Sequence, residues 1–354
     1  MRIGLPKETK DHEYRVALIP AAVKTLADAG HEIRVEAGAG TAAGFADAAY
    51  VAAGARLSGA DEAWQADLVV KVKEPQAAEY GRLHAGQILF CYLHLAALPD
   101  LTCALRESGV AAVGFETVAG AAGGTPLLAP MSEIAGRLAP QMGAQALCMA
   151  NGGRGVLLPG VPGVPPAQVL ILGGGMVGGN AARIALGLGA RVTVLDRSAE
   201  PLRRLEEIFG ARLATAFADA DTLAHLLPHT DLVIGAVLIA GRRAPRLLTR
   251  ELLRRLPPGA ALVDVAIDQG GIAETSRPTS HSAPFYVEEG IVHYCVTNMP
   301  GAVARTASLA LAHALLPYVR ALADHGLPGL QTLPGFAAGL QVENGHITLP
   351  GLID

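Results

Sequence analysis

The fold is limited most strongly by residues 169–196, which read VLILGGGMVGGNAARIALGLGARVTVLD. An apolar strand leads into Gly173-x-Gly175-x-x-Gly178, a helical pattern follows, and a second apolar strand ends in Asp196. Glycines at these spacings allow a tight turn, the approach of backbone N–H groups to a pyrophosphate, and close packing of the helix on the strand. The segment therefore predicts a βαβ unit that binds a dinucleotide.

The acidic residue that ends this unit indicates which dinucleotide it binds. Asp196 follows Gly178 by 18 residues, near the ~20 expected for a carboxylate that accepts a hydrogen bond from the adenosine ribose. The carboxylate would repel the 2′-phosphate of NADP, so the sequence favours NAD, although Arg197 could accommodate that phosphate. A tight turn without a ligand is the alternative interpretation of the motif.

Further short apolar segments flank this unit and alternate with helical patterns. This rhythm predicts a doubly wound parallel sheet, and we assign residues 128–305 to a Rossmann-like NAD-binding domain. Its predicted strands are Val169–Leu172, Arg191–Leu195, Leu232–Ala236, Ala261–Val265 and Val292–Val296.

The N-terminal part of the chain predicts a second domain of the same α/β class. Its predicted strands are Arg2–Leu5, Glu32–Val35, Leu68–Lys71, Ile88–Leu93 and Ala112–Gly114. The C-terminal segment opens with a long apolar-faced helix at 306–326 and shows no strand pattern of its own. We therefore expect it to pack on the N-terminal unit, so that residues 1–127 and 306–354 form one discontinuous substrate domain.

Composition raises the question of a membrane protein. Of the 354 residues, 51% are hydrophobic and only 17% are charged, against about 25% charged in typical soluble domains. The longest stretch without Asp, Glu, Lys or Arg, residues 155–182, contains four prolines and eight glycines, so it cannot form one spanning helix. The N-terminus also lacks a secretory hydrophobic segment. We expect a cytoplasmic protein without a membrane partner.

Charge and cysteine content exclude further classes. The 28 basic and 32 acidic residues give a net charge of −4 with both signs interspersed, which argues against a nucleic-acid partner. The cysteines form no C-x-x-C pair and no zinc-type cluster with histidine, so we expect free thiols and no metal site. They are Cys91, Cys103, Cys148 and Cys295.

A nicotinamide enzyme must hold its substrate and move a proton while hydride is exchanged. The planar fork of Arg15 can clamp a carboxylate, and Lys73 follows a predicted strand at the edge where α/β folds bind ligands. His94 lies in an apolar run, and Asp268 lies on a glycine-rich loop after a predicted strand. The structural alternatives are, respectively, a surface salt bridge, an exposed lysine, a core histidine and a turn-capping aspartate. Asp264, within the strand, is interpreted as structural.

These residues belong to segments that resemble the NAD-dependent alanine dehydrogenase family over nearly the whole chain. The same family includes the nucleotide-binding α-subunit of proton-translocating transhydrogenase. The resemblance implies reversible oxidative deamination of L-alanine to pyruvate and ammonium. Besides the glycine motif, the matching segments are GLPKETKDHEYRVALIP, LVVKVKEP, FCYLHLA, GFETV, PLLAPMSEIAGR, DLVIGAVLIAG, LVDVAIDQGG and YCVTNMPGAVARTA.

The resemblance also implies a role for each candidate. Arg15 and Lys73 would bind the carboxylate and the carbonyl or amine region of the substrate. His94 would be the general acid/base, and Asp268 would handle the proton of the water at the carbinolamine stage. Asn298 would contact both the substrate and the cofactor. The implied cofactor contacts are Ser132, Gly173, Gly175, Met176, Val177, Gly178, Asp196, Val237, Leu238, Ile267, Asp268, Arg277, Asn298 and Met299.

The chain departs from the family pattern near the expected adenosine end. Pro201 and Ala218 stand where the family often has a basic residue and a serine, and Arg197 or Arg203 is a possible replacement. Family members generally form hexamers, which implies a homo-oligomer. Two other functions stay open, a transhydrogenase-type nucleotide subunit and a non-catalytic NAD-binding protein.

Overall fold

The computed structural model describes residues 1–121, 123–237 and 244–349, and the chain divides into two compact units. The first unit combines Met1–Met131 with the described part of Gly301–Asp354, and the second unit is Ser132–Pro300. These boundaries lie within five residues of the expected ones. Each unit contains one sheet in which parallel pairing dominates, which confirms the predicted α/β class.

The strands, numbered along the chain, are β1 (Arg2–Leu5), β2 (Glu32–Glu36), β3 (Arg56–Ser58), β4 (Leu68–Val70), β5 (Ile88–Cys91), β6 (Ala111–Gly114), β7 (Gln168–Leu172), β8 (Arg191–Asp196), β9 (Leu213–Phe217), β10 (Leu232–Gly235), β11 (Ala261–Asp264), β12 (Phe285–Glu288), β13 (Ile291–Tyr294), β14 (Leu340–Glu343) and β15 (His346–Ile347). The α-helices are α1 (Pro20–Asp28), α2 (Asp47–Ala52), α3 (Ala60–Trp64), α4 (Pro99–Ser108), α5 (Ala129–Ala146), α6 (Met176–Gly187), α7 (Ala199–Phe209), α8 (Ala220–Leu226), α9 (Arg250–Leu253) and α10 (Ala304–His325).

The sheet of the first unit has the order β15-β14-β6-β5-β4-β1-β2-β3. Strands β1 to β6 pair in parallel, in the order 3-2-1-4-5-6 of the dinucleotide-binding fold, which places the switch point between β1 and β4. The expectation that the C-terminal segment has no strands is wrong, since β14 pairs antiparallel with β6 and with β15. These two strands are short and carry polar residues, so they form no apolar run.

The sheet of the second unit has the order β12-β13-β11-β10-β7-β8-β9. Its six parallel strands repeat the same arrangement, with the switch point between β7 and β10, and β12 adds an antiparallel edge. The central strands β10 and β11 are buried at every residue, as expected when helices cover both faces of a parallel sheet.

Helix α10 is long and apolar. The segment Met299–His325 is the one helical stretch in the described residues that could cross a membrane by length and composition. Within the first unit α10 packs on α1 and β4, and the Ser308 hydroxyl accepts a hydrogen bond from the Val16 backbone N–H at 3.0 Å. Within the structure 39% of the apolar part of this stretch is buried, and a helix that packs inside a protein passes the same test of length and composition.

Candidate functional site

The turn between β7 and α6 has the geometry that the glycine motif predicts. Gly173 has a φ of +107°, and a Cβ there would lie 2.7 Å from the Ala236 carbonyl oxygen. A Cβ on Gly178 would lie 1.8 Å from the Gly173 carbonyl oxygen. At Gly175, which precedes the first residue of α6, no heavy atom lies within 4 Å of a Cβ position. The loop is thus tight where it must pack and open where a pyrophosphate would lie against the helix N-terminus.

Asp196 ends β8 beside this loop. Its Oδ2 accepts a hydrogen bond from the Gly174 N–H at 2.7 Å, and its Oδ1 accepts one from the Ser198 N–H at 2.9 Å. Arg204 in α7 contacts the same residue of the loop, donating to the Gly174 carbonyl at 3.2 Å. Arg204 therefore holds the loop, a residue that the sequence did not single out. Arg197 and Arg203 are exposed and make no hydrogen bond within the part of the chain that the structure describes.

Two aspartates with different surroundings lie at the carboxyl end of β11: Asp264 is its last residue, and Asp268 lies in the loop that follows. The Asp264 carboxylate is buried and accepts hydrogen bonds from the Ala266 N–H at 3.1 Å, the Ile272 N–H at 2.7 Å and the Ser276 hydroxyl at 2.5 Å. Burial raises the pKa of Asp264, and these bonds partly offset the increase. Asp264 thus fixes the course of the loop, in agreement with a structural role.

Asp268 lies in the 3-10 turn Val265–Gln269 of that loop. Its side chain is exposed, and within residues 1–121, 123–237 and 244–349 it makes no hydrogen bond or ion pair. The turn-capping alternative is therefore wrong for Asp268, because the capping bonds come from Asp264. An exposed carboxylate on an immobilised loop is suited to proton transfer.

Most of the expected cofactor residues lie at one edge of this sheet. The glycine loop follows β7, Asp196 ends β8, Val237 follows β10, Asp268 follows β11 and Asn298 follows β13. Since these strands run parallel, their carboxyl ends meet at the same edge, where doubly wound folds bind ligands. Leu238 lies outside the described residues.

Other expected contacts are distributed around this edge. Met176 is exposed on the first turn of α6, whereas Val177, Ile267 and Met299 are buried. Asn298 has a φ of +63°, a left-handed conformation that asparagine tolerates better than most residues.

Two expected residues are not at strand ends. The Arg277 guanidinium stacks 3.8 Å from the centre of the Tyr286 ring. Ser132 lies in α5, one turn before Gly136, where a Cβ would lie 2.4 Å from the Val177 carbonyl oxygen. This close approach packs α5 against the start of α6.

The switch point of the first unit carries buried charges instead of a glycine loop. Glu8 follows β1, and its Oε1 accepts a hydrogen bond from the Val72 N–H at 2.7 Å while its Oε2 lies 3.4 Å from the Lys73 N–H. The Lys71 ammonium lies 3.4 Å from Glu8 Oε2 and 3.2 Å from Glu79 Oε1. Glu8 therefore ties the segment after β1 to the segment after β4.

We expect Glu8→Gln to alter the pH dependence of stability. Burial raises the pKa of Glu8 from 4.5 to about 7, and the charge of Lys71 partly offsets this increase. Because the folded-state pKa exceeds the unfolded one, the contribution of Glu8 is greatest at acidic pH and decreases as the pH rises through about 7. Between about pH 5 and 8, the free energy of unfolding should fall by about 2 kcal/mol more in the wild type than in the variant. Chemical denaturation at both pH values measures this difference. Glu62→Gln, an exposed change in α3, should follow the wild type, and a parallel fall in Glu8→Gln would contradict the assignment.

Arg15 is buried and forms a two-pronged pair with a neighbouring carboxylate. Its Nε lies 2.7 Å from Glu13 Oε1 and its Nη2 lies 2.5 Å from Glu13 Oε2. Its Nη1 lies 3.1 Å from the Met131 sulfur. The surface salt bridge considered for Arg15 is therefore wrong, since Glu13 orients the guanidinium within the unit.

Tyr92 connects two of the candidates. The Lys73 ammonium lies 6.0 Å from the centre of its ring, and the His94 imidazole stacks on it with centroids 5.9 Å apart and planes 9° apart. The Tyr92 hydroxyl donates to the Leu127 carbonyl at 2.6 Å, and burial raises the Tyr92 pKa, so the ring stays neutral. The sequence did not single out Tyr92, although its position two residues before His94 in FCYLHLA is a usable signal.

His94 is exposed and not a core histidine. Its φ of +50° is left-handed, a conformation that costs a residue other than glycine about 1 kcal/mol or more. The Glu116 carboxylate accepts a hydrogen bond from the His94 N–H at 2.8 Å and compensates for this cost. The three candidates of the first unit, Arg15, Lys73 and His94, all follow carboxyl ends of its parallel strands.

Comparison with known proteins places this geometry in a family. The family model for the alanine dehydrogenase/PNT N-terminal domain matches residues 4–135, and that for the C-terminal domain matches residues 139–350. An alanine dehydrogenase of Halomonas elongata is 56% identical over 352 residues, 98% of this chain and 95% of that protein. An alanine dehydrogenase of Mycobacterium tuberculosis is 51% identical over 350 residues, 98% of this chain and 94% of that protein.

Solved structures agree with the sequence relatives. An L-alanine dehydrogenase superposes with a TM-score of 0.96 at 50% identity, covering 99% of this chain and 97% of that one. A transhydrogenase from Sinorhizobium meliloti gives 0.85 at 26% identity, covering 99% of both chains. The likeness to the alanine dehydrogenase is thus the greater on both measures. The chain belongs to the alanine dehydrogenase/PNT family, and it resembles alanine dehydrogenases over almost its full length.

Proposed function

We propose that the protein is an NAD-dependent alanine dehydrogenase that converts L-alanine, NAD⁺ and water reversibly to pyruvate, ammonium and NADH. The observation that carries the proposal is the grouping of Arg15, Lys73 and His94 at the carboxyl edge of the first sheet, two of them against Tyr92. A transhydrogenase-type subunit does not need this lysine and histidine.

We assign cofactor binding to the second unit. The open space at Gly175 and the N-terminus of α6 fit a pyrophosphate. Asp196 would accept a hydrogen bond from the adenosine ribose and disfavour a 2′-phosphate, which supports NAD over NADP. Ser132, Val237, Ile267, Arg277 and Met299 would complete the contacts. When bound, NAD⁺ supplies the acceptor for the hydride that leaves the alanine Cα.

We assign substrate binding to the first unit. Alanine is a small zwitterion, and a switch point with buried charges suits it better than one with a glycine loop. Arg15, fixed by Glu13, would bind the substrate carboxylate, and Lys73 would contact the carbonyl or amine region. Asn298 is proposed as a further substrate contact, as the family resemblance implies.

Two residues would move protons. His94 would act as the general acid/base on the substrate amine and oxygen, since its imidazole is exposed and oriented. Asp268 would accept or return the proton of the water that forms and breaks the carbinolamine. Its exposed carboxylate on the loop held by Asp264 supports this role.

The direct test is to mix the purified protein with L-alanine and NAD⁺ at alkaline pH and to follow NADH absorbance. Turnover with alanine supports the proposal, and turnover only with another amino acid would overturn the substrate assignment. Hydride exchange between two nucleotides without alanine would indicate the transhydrogenase-type function. Binding of NADH without any turnover would indicate a binding protein.

We expect Gly175→Ala to weaken cofactor binding without unfolding the protein. A Cβ at this position meets no protein atom and Gly175 has a φ of −70°, so alanine fits the empty loop. The methyl group would, however, occupy the space proposed for the pyrophosphate. NADH fluorescence titration should show a Kd raised about tenfold or more, with an unchanged melting temperature. Gly187→Ala, also unobstructed and at the end of α6, should leave the Kd unchanged. Equal affinity in both variants would place the pyrophosphate elsewhere.

We further propose a cytoplasmic homo-oligomer, a hexamer by family resemblance. Several apolar side chains on and near the connector 155–166 are exposed, which supports association of subunits. They are Met149, Leu157, Val161 and Val164.

A further inference from the structure

We propose that Glu116 and Gln341 form a positioning pair for His94, which makes the C-terminal strand β14 part of the catalytic machinery. The inference rests on the proposed function in that it takes His94 as the acid/base. Neither residue touches the substrate in this proposal: Glu116 acts through the backbone of His94, and Gln341 acts through Glu116.

The Glu116 carboxylate accepts hydrogen bonds from the backbone at and before His94. Glu116 follows β6, and its Oε1 accepts a hydrogen bond from the His94 N–H at 2.8 Å. The Leu93 N–H lies 3.2 Å from Glu116 Oε2 and 3.3 Å from Oε1. One carboxylate thus holds two consecutive amides in the turn where His94 has a φ of +50°. Because the left-handed conformation is unfavourable for histidine, loss of these hydrogen bonds would let the backbone relax and move the ring away from Tyr92.

Gln341 in β14 orients the Glu116 carboxylate. The amide Nε2 of Gln341 donates to Glu116 Oε1 at 3.1 Å and to Thr117 Oγ1 at 3.1 Å. Gln341 is completely buried, and its bond to Glu116 is partly buried. The carboxylate therefore accepts hydrogen bonds from two backbone amides and from a side chain 225 residues away.

Two features of the backbone, a β-bulge in β14 and a glycine in β6, allow this contact. The pairing of β14 with β6 shifts register between Leu340 and Val342, so Gln341 lies at a β-bulge, a device that redirects a side chain. On the neighbouring strand β6, a Cβ on Gly114 would lie 1.9 Å from Gln341 Nε2. The bulge directs the Gln341 amide toward Glu116, and the absence of a side chain at Gly114 leaves space for that amide. Simple pairing of β14 with β6 would require neither feature.

The test compares Glu116→Gln and Gln341→Met with Gln87→Met. Gln87 is also fully buried in the first unit and donates to the Trp64 carbonyl, but it lies before β5 and away from His94. Misplacement of a catalytic group should lower kcat about tenfold or more in Glu116→Gln and severalfold in Gln341→Met. We expect KM for alanine and the Kd for NADH to stay within about twofold, because Arg15 and the second unit are untouched. Gln87→Met should keep the wild-type kcat.

A second measurement separates positioning from general stabilisation. If Glu116 acts through His94, Glu116→Gln should cause no further loss of kcat when it is added to His94→Asn. An equal factor in both backgrounds, or a wild-type kcat in folded Glu116→Gln, would overturn the proposal.

An NMR experiment makes the result independent of the reaction. The Cε1–H resonance of His94, assigned by its loss in His94→Asn, should shift in Glu116→Gln and stay in place in Gln87→Met, whether or not alanine is the substrate. Failure of the wild type to oxidise alanine would overturn the proposed function alone, whereas an unmoved His94 resonance would overturn the positioning pair alone.

Discussion

His94→Asn should lower kcat for alanine oxidation about 100-fold or more while the fold and cofactor binding survive. Asparagine is the informative replacement because His94 has a φ of +50°. Asparagine adopts the left-handed conformation readily, whereas alanine does not. The variant thus keeps the backbone turn and its bonds to Glu116, and removes only the group that exchanges protons.

The measurement is steady-state and single-turnover NADH formation, with NADH titration as the test of folding and binding. His84→Asn, an exposed histidine of the same unit, is the matched control and should behave as the wild type. Both the first turnover and the steady state should be slow in His94→Asn, since the substrate amine must lose its proton before hydride leaves. A first turnover at the wild-type rate would remove His94 from that step.

The two units share one strand order and differ in what lies at the switch point. In the second unit, the residues after β7 are glycines that keep side chains out of a space suited to a long, flexible dinucleotide. In the first unit, the corresponding place after β1 and β4 holds the buried pair of Glu8 and Lys71. The same arrangement of strands thus leaves an unobstructed glycine loop at the switch point of one unit and places a buried ion pair at the switch point of the other. This contrast is the physical basis for assigning cofactor and substrate to different units.

The sequence predicted the parallel interior strands of both sheets and missed the edge strands together with β14, which pairs antiparallel between β6 and β15. Interior strands such as β10 and β11 are buried on both faces and appear as apolar runs. Strands β3, β9, β12 and β15 lie at sheet edges. Because an edge strand is partly solvated, it can include polar residues and then forms no continuous apolar run, as RLS in β3 illustrates.

For the candidate site, the sequence predicted the functional side chains but not the residues that orient them. A strand pattern is enough to place Lys73, His94 and Asp268 at carboxyl ends, where doubly wound folds bind ligands. The partners that orient these groups were not predicted. Glu13 and Tyr92 are only two residues from Arg15 and His94 and could have been proposed from proximity. The bond between Gln341 and Glu116 depends on β14 pairing with β6, which no local pattern reveals.

Asp268→Asn should also lower steady-state turnover about 100-fold, but with a different kinetic signature. Asparagine has nearly the shape of aspartate and cannot accept a proton. The loop should keep its course, because Asp264 supplies the hydrogen bonds that hold it. The variant is therefore expected to fold and to bind NADH as the wild type does.

The signature follows from the order of events in oxidation of alanine. Hydride transfer yields NADH and the imine first, and water then adds to form the carbinolamine. If Asp268 handles the proton of that water, the variant should still form about one NADH per site rapidly and then slow down. Stopped-flow absorbance would record this burst, and Asp221→Asn, an exposed change in α8, should show wild-type turnover.

A slow first turnover of Asp268→Asn would instead assign Asp268 to hydride transfer or to cofactor binding. A wild-type steady state would remove it from the chemistry, and the exposed carboxylate after β11 would then need another explanation.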